Sequence, residues 1–367
     1  MKRLLCILSN MNAGGAETFL MKLYRTIDRN HYQMDFCINL YEENFYEDEI
    51  KSLGGRVFKI PSRKEDFKEH NKRLTAIVRD NSYKYVLSVS AISTCFIDLK
   101  LAKKAGAEVC SVRSSNSSIG LSIKATAIHF LFRLLYMKYA DVMFAPSDLA
   151  AISLFGKKSV NSGKVVFLHN AINYDKFKFN PEDRVKQRLL LHISDDCMLI
   201  GHVGRFNTQK NHEKLIDIFY TYHQTNLKSK LLLVGIGNLQ ETIKNKVERL
   251  NLSDDVVFLG LRNDVNLLLS AMDIFVMPSF YEGMPNVVIE AQANGLPCVI
   301  SDTITREANI TGLVKFAPLN GDDSIWASYI SENIGKRVAD TYQKFRDNNY
   351  LIEDAAKLFV TNVFKKR

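Results

Sequence analysis

The chain has 367 residues, 46% of them hydrophobic, and a net charge of +9. That length suits two domains of ordinary size, and the apolar fraction is that of a folded protein rather than a disordered one. No run reaches the ~20 apolar residues of a membrane-spanning helix. None of the six cysteines forms a close C-x-x-C pair, which excludes a zinc framework or disulfide scaffold and implies a reducing cytoplasm.

The first apolar run, residues 4–8, is short for a signal sequence and is followed by Asn10 and Asn12 with no cleavage site, so it reads as a buried strand. Asn12-Ala13-Gly14-Gly15 is a loop. The spacing of Phe19, Leu20, Leu23 and Ile27 predicts a helix over 16–27. Strands are expected at 35–39, 56–60, 85–89, 108–112, 141–145 and 165–168, with helices at 65–80, 93–104 and 122–139 among them. The pattern lapses over 170–183, which reads as a linker. It resumes with strands at 198–203, 230–234, 256–259, 273–277 and 297–301 and helices at 211–224, 239–250, 263–271 and 286–294, then a helical tail from about 323. Strands alternating with helices predict parallel sheets covered on both faces. The expected division is 1–175, 176–340 and a terminal helical segment, 341–367.

Charge is unevenly placed. Residues 1–170 hold 25 Lys and Arg against 16 Asp and Glu, whereas 171–367 hold 24 of each. The excess in the first half reads either as a plain basic surface or as a match for an anionic partner, a membrane surface included. Residues 122–139 are apolar and aromatic, with Lys124, His129, Arg133 and Lys138 interspersed. They fit an ordinary core helix with cationic ends, or a helix lying in a membrane interface. No recognised basic-aromatic motif supports nucleic-acid binding. Gly235-Ile236-Gly237 is only G-x-G, so a dinucleotide fingerprint is lacking.

The segment Ser279-Phe280-Tyr281-Glu282-Gly283-Met284-Pro285-Asn286-Val287-Val288-Ile289-Glu290 carries the clearest chemistry. It leaves the carboxyl end of a predicted strand, where ligands of open α/β sheets bind. Gly283 allows close approach of a ligand, and Pro285 suits the first turn of a helix. The amides of Asn286, Val287 and Val288 then offer an anion site. Glu282 would repel a phosphate but suits sugar hydroxyls, and Glu290 suits a ribose diol. Gly204, Arg205 and Lys210 follow the first strand of the same half, where the two cations suit a leaving diphosphate. No D-x-D pattern occurs, so no metal is expected.

Taken together, "GGAETFLMKLY" (14–24), "LHNAINYDKF" (168–177), "GHVGRFNTQKN" (201–211) and "YEGMPNVVIEA" (281–291) resemble the retaining glycosyltransferases of family 4 over nearly the whole chain, most like bacterial capsular and exopolysaccharide enzymes. The resemblance implies the GT-B fold: two Rossmann-like α/β domains facing across a cleft, with a C-terminal helix crossing back to the first. It implies that Arg205, Lys210 and Glu282 act in catalysis. It also implies that Gly15, Gly204, Arg262, Gly283, Met284, Pro285, Asn286, Val287 and Glu290 bind the donor. Arg113, Ser115 and Asn116 stand on the acceptor side, where many relatives have a histidine that this chain lacks. The implied reaction is same-face transfer from a nucleotide sugar, UDP-sugar favoured, to a lipid diphosphate-linked oligosaccharide. The nucleotide sugar is a co-substrate; no resident cofactor is expected. The implied location is the cytoplasm, with peripheral contact at the inner membrane face. A UDP-sugar 2-epimerase, a phosphorylase and a non-catalytic partner subunit share the architecture and stay open at this point.

Overall fold

A computed structural model describes residues 1–12, 14–39, 44–115 and 123–365; the side chains of 123–125 and 127 lie outside that description. The chain forms two compact units, Met1–Ala171 with Asn349–Arg367, and Ile172–Asn348. The boundaries fall four and eight residues from the expected 175/176 and 340/341, and specific contacts show why. Ala171 is buried in the first unit's core. Tyr174 begins the second: its hydroxyl donates to Asp340 Oδ1 (3.0 Å) and accepts from Thr341 N (3.0 Å), and its ring meets Phe345 at 5.6 Å. Residues 340–348 therefore stay with the second unit.

The first unit is a seven-stranded parallel sheet. Its strands are β1 (Lys2–Ile7), β2 (Tyr32–Ile38), β3 (Val57–Lys59), β4 (Tyr85–Ser90), β5 (Val109–Ser114), β6 (Val142–Ala145) and β7 (Val165–Phe167), in the order β3-β2-β1-β4-β5-β6-β7. Side chains of a strand alternate between faces, and β1 shows the consequence. Leu4 and Cys6 pack with Phe19, Leu20 and Leu23 of the helix Gly15–Thr26, while Leu5 and Ile7 pack with Leu74, Val78, Phe96 and Leu99 on the other face. The tail helix Ile352–Val363 adds Ala355, Phe359 and Val363 to the first of these cores. Lys2 Nζ donates to Phe364 O at 3.0 Å, fastening the tail. All six cysteines are buried and free.

The second unit is a six-stranded parallel sheet of β8 (Met198–Val203), β9 (Ser229–Val234), β10 (Val256–Phe258), β11 (Ile274–Met277), β12 (Cys298–Ser301) and β13 (Val314–Ala317), ordered β10-β9-β8-β11-β12-β13. β13 was not expected: it is a four-residue edge strand with Lys315 exposed, too short and mixed to stand out. The expected linker instead holds the helix Tyr174–Phe177 and the start of a second, Pro181–Leu190. The second starts with Asn180 as side-chain cap and Pro181 in the first turn. It puts Arg184 and Arg188 on successive turns against Asp273, which precedes β11: Arg184 Nη2 lies 2.6 Å from Oδ1, and Arg188 Nη1 3.2 Å from Oδ2. Asp273 Oδ2 also accepts from Leu199 N at 2.7 Å. This buried network pins the amino ends of β8 and β11, the ends opposite the site described next.

Candidate active site

β8 and β11 are neighbours at the point where the strand order of the second unit reverses. Ligands of such sheets bind outside the carboxyl ends there. The loop after β8 and the loop after β11 are stitched together. Phe280 N donates to Gln209 O (2.9 Å), Gln209 Nε2 to Tyr281 O (3.0 Å) and Asn211 Nδ2 to Pro278 O (3.1 Å). The loop after β8 turns through Thr208–Lys210, with Asn207 Oδ1 accepting from Lys210 N at 3.2 Å. Asn211 takes the left-handed conformation (φ 52°), which asparagine tolerates, and its side chain caps the helix His212–His223.

This turn aims Lys210 at Glu282. Lys210 Nζ lies 2.7 Å from Glu282 Oε1, with the two side chains only 18% and 10% exposed. Two sequence-predicted residues from separate loops therefore meet as a largely buried ion pair. Arg205 is exposed and makes no side-chain hydrogen bond or ion pair among the described residues, so its guanidinium is open to a ligand.

The G-x-G after β9 proves to be part of this site, for a reason its spacing did not reveal. Gly204 N donates to Val234 O (2.9 Å) and Phe206 N to Ile236 O (3.1 Å), drawing the Arg205 loop onto the β9 loop. Gly235 has φ +137°, and a Cβ on it would overlap Gly204 O; a Cβ on Gly237 would overlap the backbone of Phe206. Only glycine fits at both.

The helix Asn286–Ala293 begins where expected, with Pro285 as its cap rather than inside its first turn. No side chain caps it. Val288 N bonds to Pro285 O at 3.0 Å, which leaves the amides of Asn286 and Val287 ahead of the ladder. Glu282, Gly283 and Met284, all half-buried, lead into this end, and Glu290 lies one turn in, also half-buried. Ser279 Oγ and Asn286 Oδ1 are buried without a hydrogen-bond partner among the described residues, so this end of β11 retains unsatisfied polar groups. Arg262 is held by Asp264 through two bonds, Nε to Oδ1 (2.8 Å) and Nη2 to Oδ2 (2.6 Å).

Beneath Lys210 sit two buried histidines that sequence reasoning passed over. His202 Nδ1 donates to Val276 O at 2.8 Å, tying β8 to β11, and its Nε2 has no partner among the described residues. His212 stacks on Phe206 (4.0 Å between centroids) and meets His202 edge-on (4.8 Å). Burial, with Lys210 adding to it, pushes His212 down to about 4; burial and the neighbouring His212 push His202 well below its usual range. Both are neutral at pH 7 and add no charge below the two cations.

In the first unit, Gly15 opens the helix Gly15–Thr26, which no side chain caps. Arg113 is only 1% exposed. It donates to Asn170 Oδ1 (2.7 Å) and Leu168 O (3.3 Å) and lies over the Phe19 ring at 4.3 Å; burial pushes it down to about 9. It braces the end of β5 from inside the core. Ser115 N donates to Ser90 O at 3.2 Å, and Asn116 lies outside the described residues. A cavity of about 480 Å³ opens at the carboxyl ends of β1, β2 and β4, lined in part by Asn10, Asn39, Ser90 and an Arg63–Asp98 ion pair. His70 Nε2 stands 3.6 Å from Asp98, and Ser88 Oγ 3.4 Å. Nothing in the local sequence marked these side chains, because Arg63 and His70 come from the crossover between β3 and β4, and Asp98 from the helix that follows β4.

A family model described as Glycosyl transferases group 1 matches residues 198–331. EpsF of Bacillus subtilis (strain 168), a provisionally assigned glycosyltransferase, is 36% identical over 335 residues, covering 90% of this chain and 87% of its own. The UDP-Gal:alpha-D-GlcNAc-diphosphoundecaprenol alpha-1,3-galactosyltransferase of Escherichia coli is 34% identical over 148 residues, covering 39% of this chain and 38% of its own. Among solved structures, Anabaena Alr3699/HepE in complex with UDP and glucose aligns over 100% of both chains with a TM-score of 0.75 at 16% identity, a likeness of fold. The two parallel-sheet units are thus those of the GT-B architecture.

Proposed function

The chain belongs to the group 1 glycosyltransferases, and from that premise we propose that it transfers a sugar, with retention, from a UDP-sugar to a lipid diphosphate-linked oligosaccharide of a growing polysaccharide. The observation that carries this is the Lys210–Glu282 pair at the β8/β11 switch, beside the free Arg205 and the uncapped helix at Asn286. A diphosphate takes the cations and the amides; a sugar hydroxyl takes the carboxylate. The donor and acceptor classes are supported by the names of the relatives, which include a UDP-Gal-dependent enzyme acting on a diphosphoundecaprenol-linked sugar.

In the reaction proposed, the bond between the anomeric carbon and the diphosphate oxygen breaks, and its electron pair stays with the diphosphate. Arg205 and Lys210 stabilise the charge that develops there. The acceptor hydroxyl attacks from the same face, and its proton passes to a departing phosphate oxygen. Glu282 orients the donor sugar and Glu290 the ribose. Arg262 lies beside the base, and Gly204 lines the phosphates. The two protein cations do the work a divalent metal does elsewhere, so we propose a metal-independent enzyme. Its place of work is the cytoplasmic face of the cell membrane.

Thermal shift with UDP, GDP, CDP and ADP and their sugars, with magnesium or with EDTA, tests the reading. A ligand present at a hundredfold excess over its Kd stabilises the fold by about 2.7 kcal/mol. The expected result is a shift with UDP and one UDP-sugar that survives EDTA and is lost in Lys210→Ala. A shift confined to another nucleotide overturns the donor assignment, and one abolished by EDTA overturns metal independence.

A further inference from the structure

The helix Ile123–Tyr136 satisfies neither simple expectation of a core helix nor of a surface one. Its inner side is fixed to the first unit. His129 Nδ1 accepts from Ser93 N (3.1 Å), His129 Nε2 donates to Ser153 O (3.0 Å), and Tyr136 lies under Lys100 at 4.8 Å. Its outer side presents Ile128, Phe130, Leu131, Leu134 and Leu135, each between 49% and 63% exposed. At 100° per residue these five fall within an arc of about 160°. No other helix among the described residues leaves more than three large apolar side chains exposed. Burying such a face is favourable, and nothing in this chain's described residues buries it.

The surroundings are cationic. No acidic residue occurs between Glu108 and Asp141. Arg133 lies beside Gly156, and Lys157 and Lys158 follow it, exposed, on the short helix Lys157–Asn161. That helix touches the end of the apolar one through Ser159 Oγ and Met137 Sδ (3.9 Å), and Lys138 stands exposed at the same end. The helix has 14 residues, and no described helix is long and apolar enough to cross a membrane. A short helix with one apolar face and a basic rim lies in an interface rather than spanning it.

We propose that this face docks on an anionic lipid bilayer. The five apolar side chains enter the boundary between headgroups and acyl chains, and Arg133, Lys138, Lys157 and Lys158 meet lipid phosphates. The rim selects this occupant over a second copy of the chain, because two such faces in contact would oppose cation to cation. The proposal deepens the lipid-linked reading and rests on it for its purpose: docking would bring the first unit to an acceptor anchored in the same bilayer.

The test is co-sedimentation of the full chain with phosphatidylcholine vesicles, with and without phosphatidylglycerol, alongside Leu131→Glu/Leu134→Glu and Lys157→Glu/Lys158→Glu. All these positions are exposed, so the variants keep the fold, checked by circular dichroism. The wild type is expected to bind vesicles containing phosphatidylglycerol, less so at high salt. The leucine variant loses at least about tenfold in partition, and the lysine variant loses the advantage of phosphatidylglycerol. Both keep their rate on a short-chain, water-soluble acceptor. Vesicle binding without transfer to any acceptor upholds the surface and counts against the reaction. Three results overturn the proposal: no vesicle binding by the wild type, unchanged binding by the leucine variant, or a dimer of the wild type that the leucine variant abolishes.

Discussion

Lys210 gives its ammonium to Glu282, and in the reaction proposed above the same ammonium also serves the donor's diphosphate. The two charges stand 2.7 Å apart and are mostly shielded from water. At an effective dielectric of 20 the gross attraction is about 6 kcal/mol, most of it offset by desolvation. Two substitutions that each break the pair should then act in opposite directions on one ligand. Lys210→Met keeps the stem and removes the cation. It is expected to weaken nucleoside diphosphate binding about tenfold and to lower kcat/KM by about 10²–10³, the usual worth of a group that stabilises charge in the transition state. Glu282→Gln removes a carboxylate that competes for the ammonium and repels phosphate. It is expected to tighten the free nucleoside diphosphate about 3–10-fold, through relief of roughly 1 kcal/mol, while lowering the transfer rate because the sugar loses its acceptor. Calorimetric titration of both variants with the nucleoside diphosphate alone, beside steady-state transfer, separates the effects. If Glu282→Gln weakens the free diphosphate as Lys210→Met does, Glu282 is a strut that positions the lysine, and the assignment of opposite roles is refuted.

Two further outcomes are expected. Gly235→Ala places a methyl on Gly204 O at a φ of +137°; strain and overlap together should cost about 2–5 kcal/mol, and urea unfolding should show it together with loss of nucleotide binding. Stability should also fall in acid through the buried histidines. His212 titrates near 6.5 when unfolded and about 4 when folded, so between these values the unfolded chain binds more protons. Its contribution is intact above pH 6.5 and falls by about 3 kcal/mol as the pH drops to 4, with His202 acting in the same direction. Urea midpoints from pH 7 to 4.5 measure the slope, and His212→Asn should flatten it; an unchanged slope in that variant rules His212 out as the source.

The parts of this molecule legible in the sequence are those governed by local periodicity. Buried parallel strands are continuous apolar runs, and the helices between them show one apolar stripe, so the run 198–203 coincides with β8 as found. What escaped depends on partners far along the chain. Arg184 and Arg188, just past the expected linker, carry no local signal of their role; only the fold brings Asp273, more than eighty residues on, beneath them. Gly235 and Gly237 advertise a close approach, but only the fold shows that the approaching group is the Arg205 loop. Arg113 stood on the acceptor side by resemblance alone, and its burial against Phe19 follows from where the helix Gly15–Thr26 crosses the sheet. Residues 122–139 supported two readings because composition averages over a helix, whereas the fold splits it into a packed side and a bare one.

The same distinction explains why the residues after β8 and β11 were the easier to find. Arg205, Lys210 and Glu282 leave the carboxyl ends of β8 and β11, adjacent strands at the reversal of strand order. Any two loops at that point converge whatever their sequences, so motif and topology state the same thing twice. The cavity of the first unit lies at the equivalent reversal between β1 and β4, yet its Arg63, His70 and Asp98 come from a crossover and two helix faces rather than from the loops alone. Its chemistry is built by packing, which a motif cannot encode. A site held by stitched loops tolerates change in the helices behind it; a site held by helix faces does not. Substitutions in the helix Cys95–Lys104 should accordingly disturb the first unit's cavity more than substitutions in the helix His212–His223 disturb the Lys210–Glu282 pair, provided the His212 contact is kept.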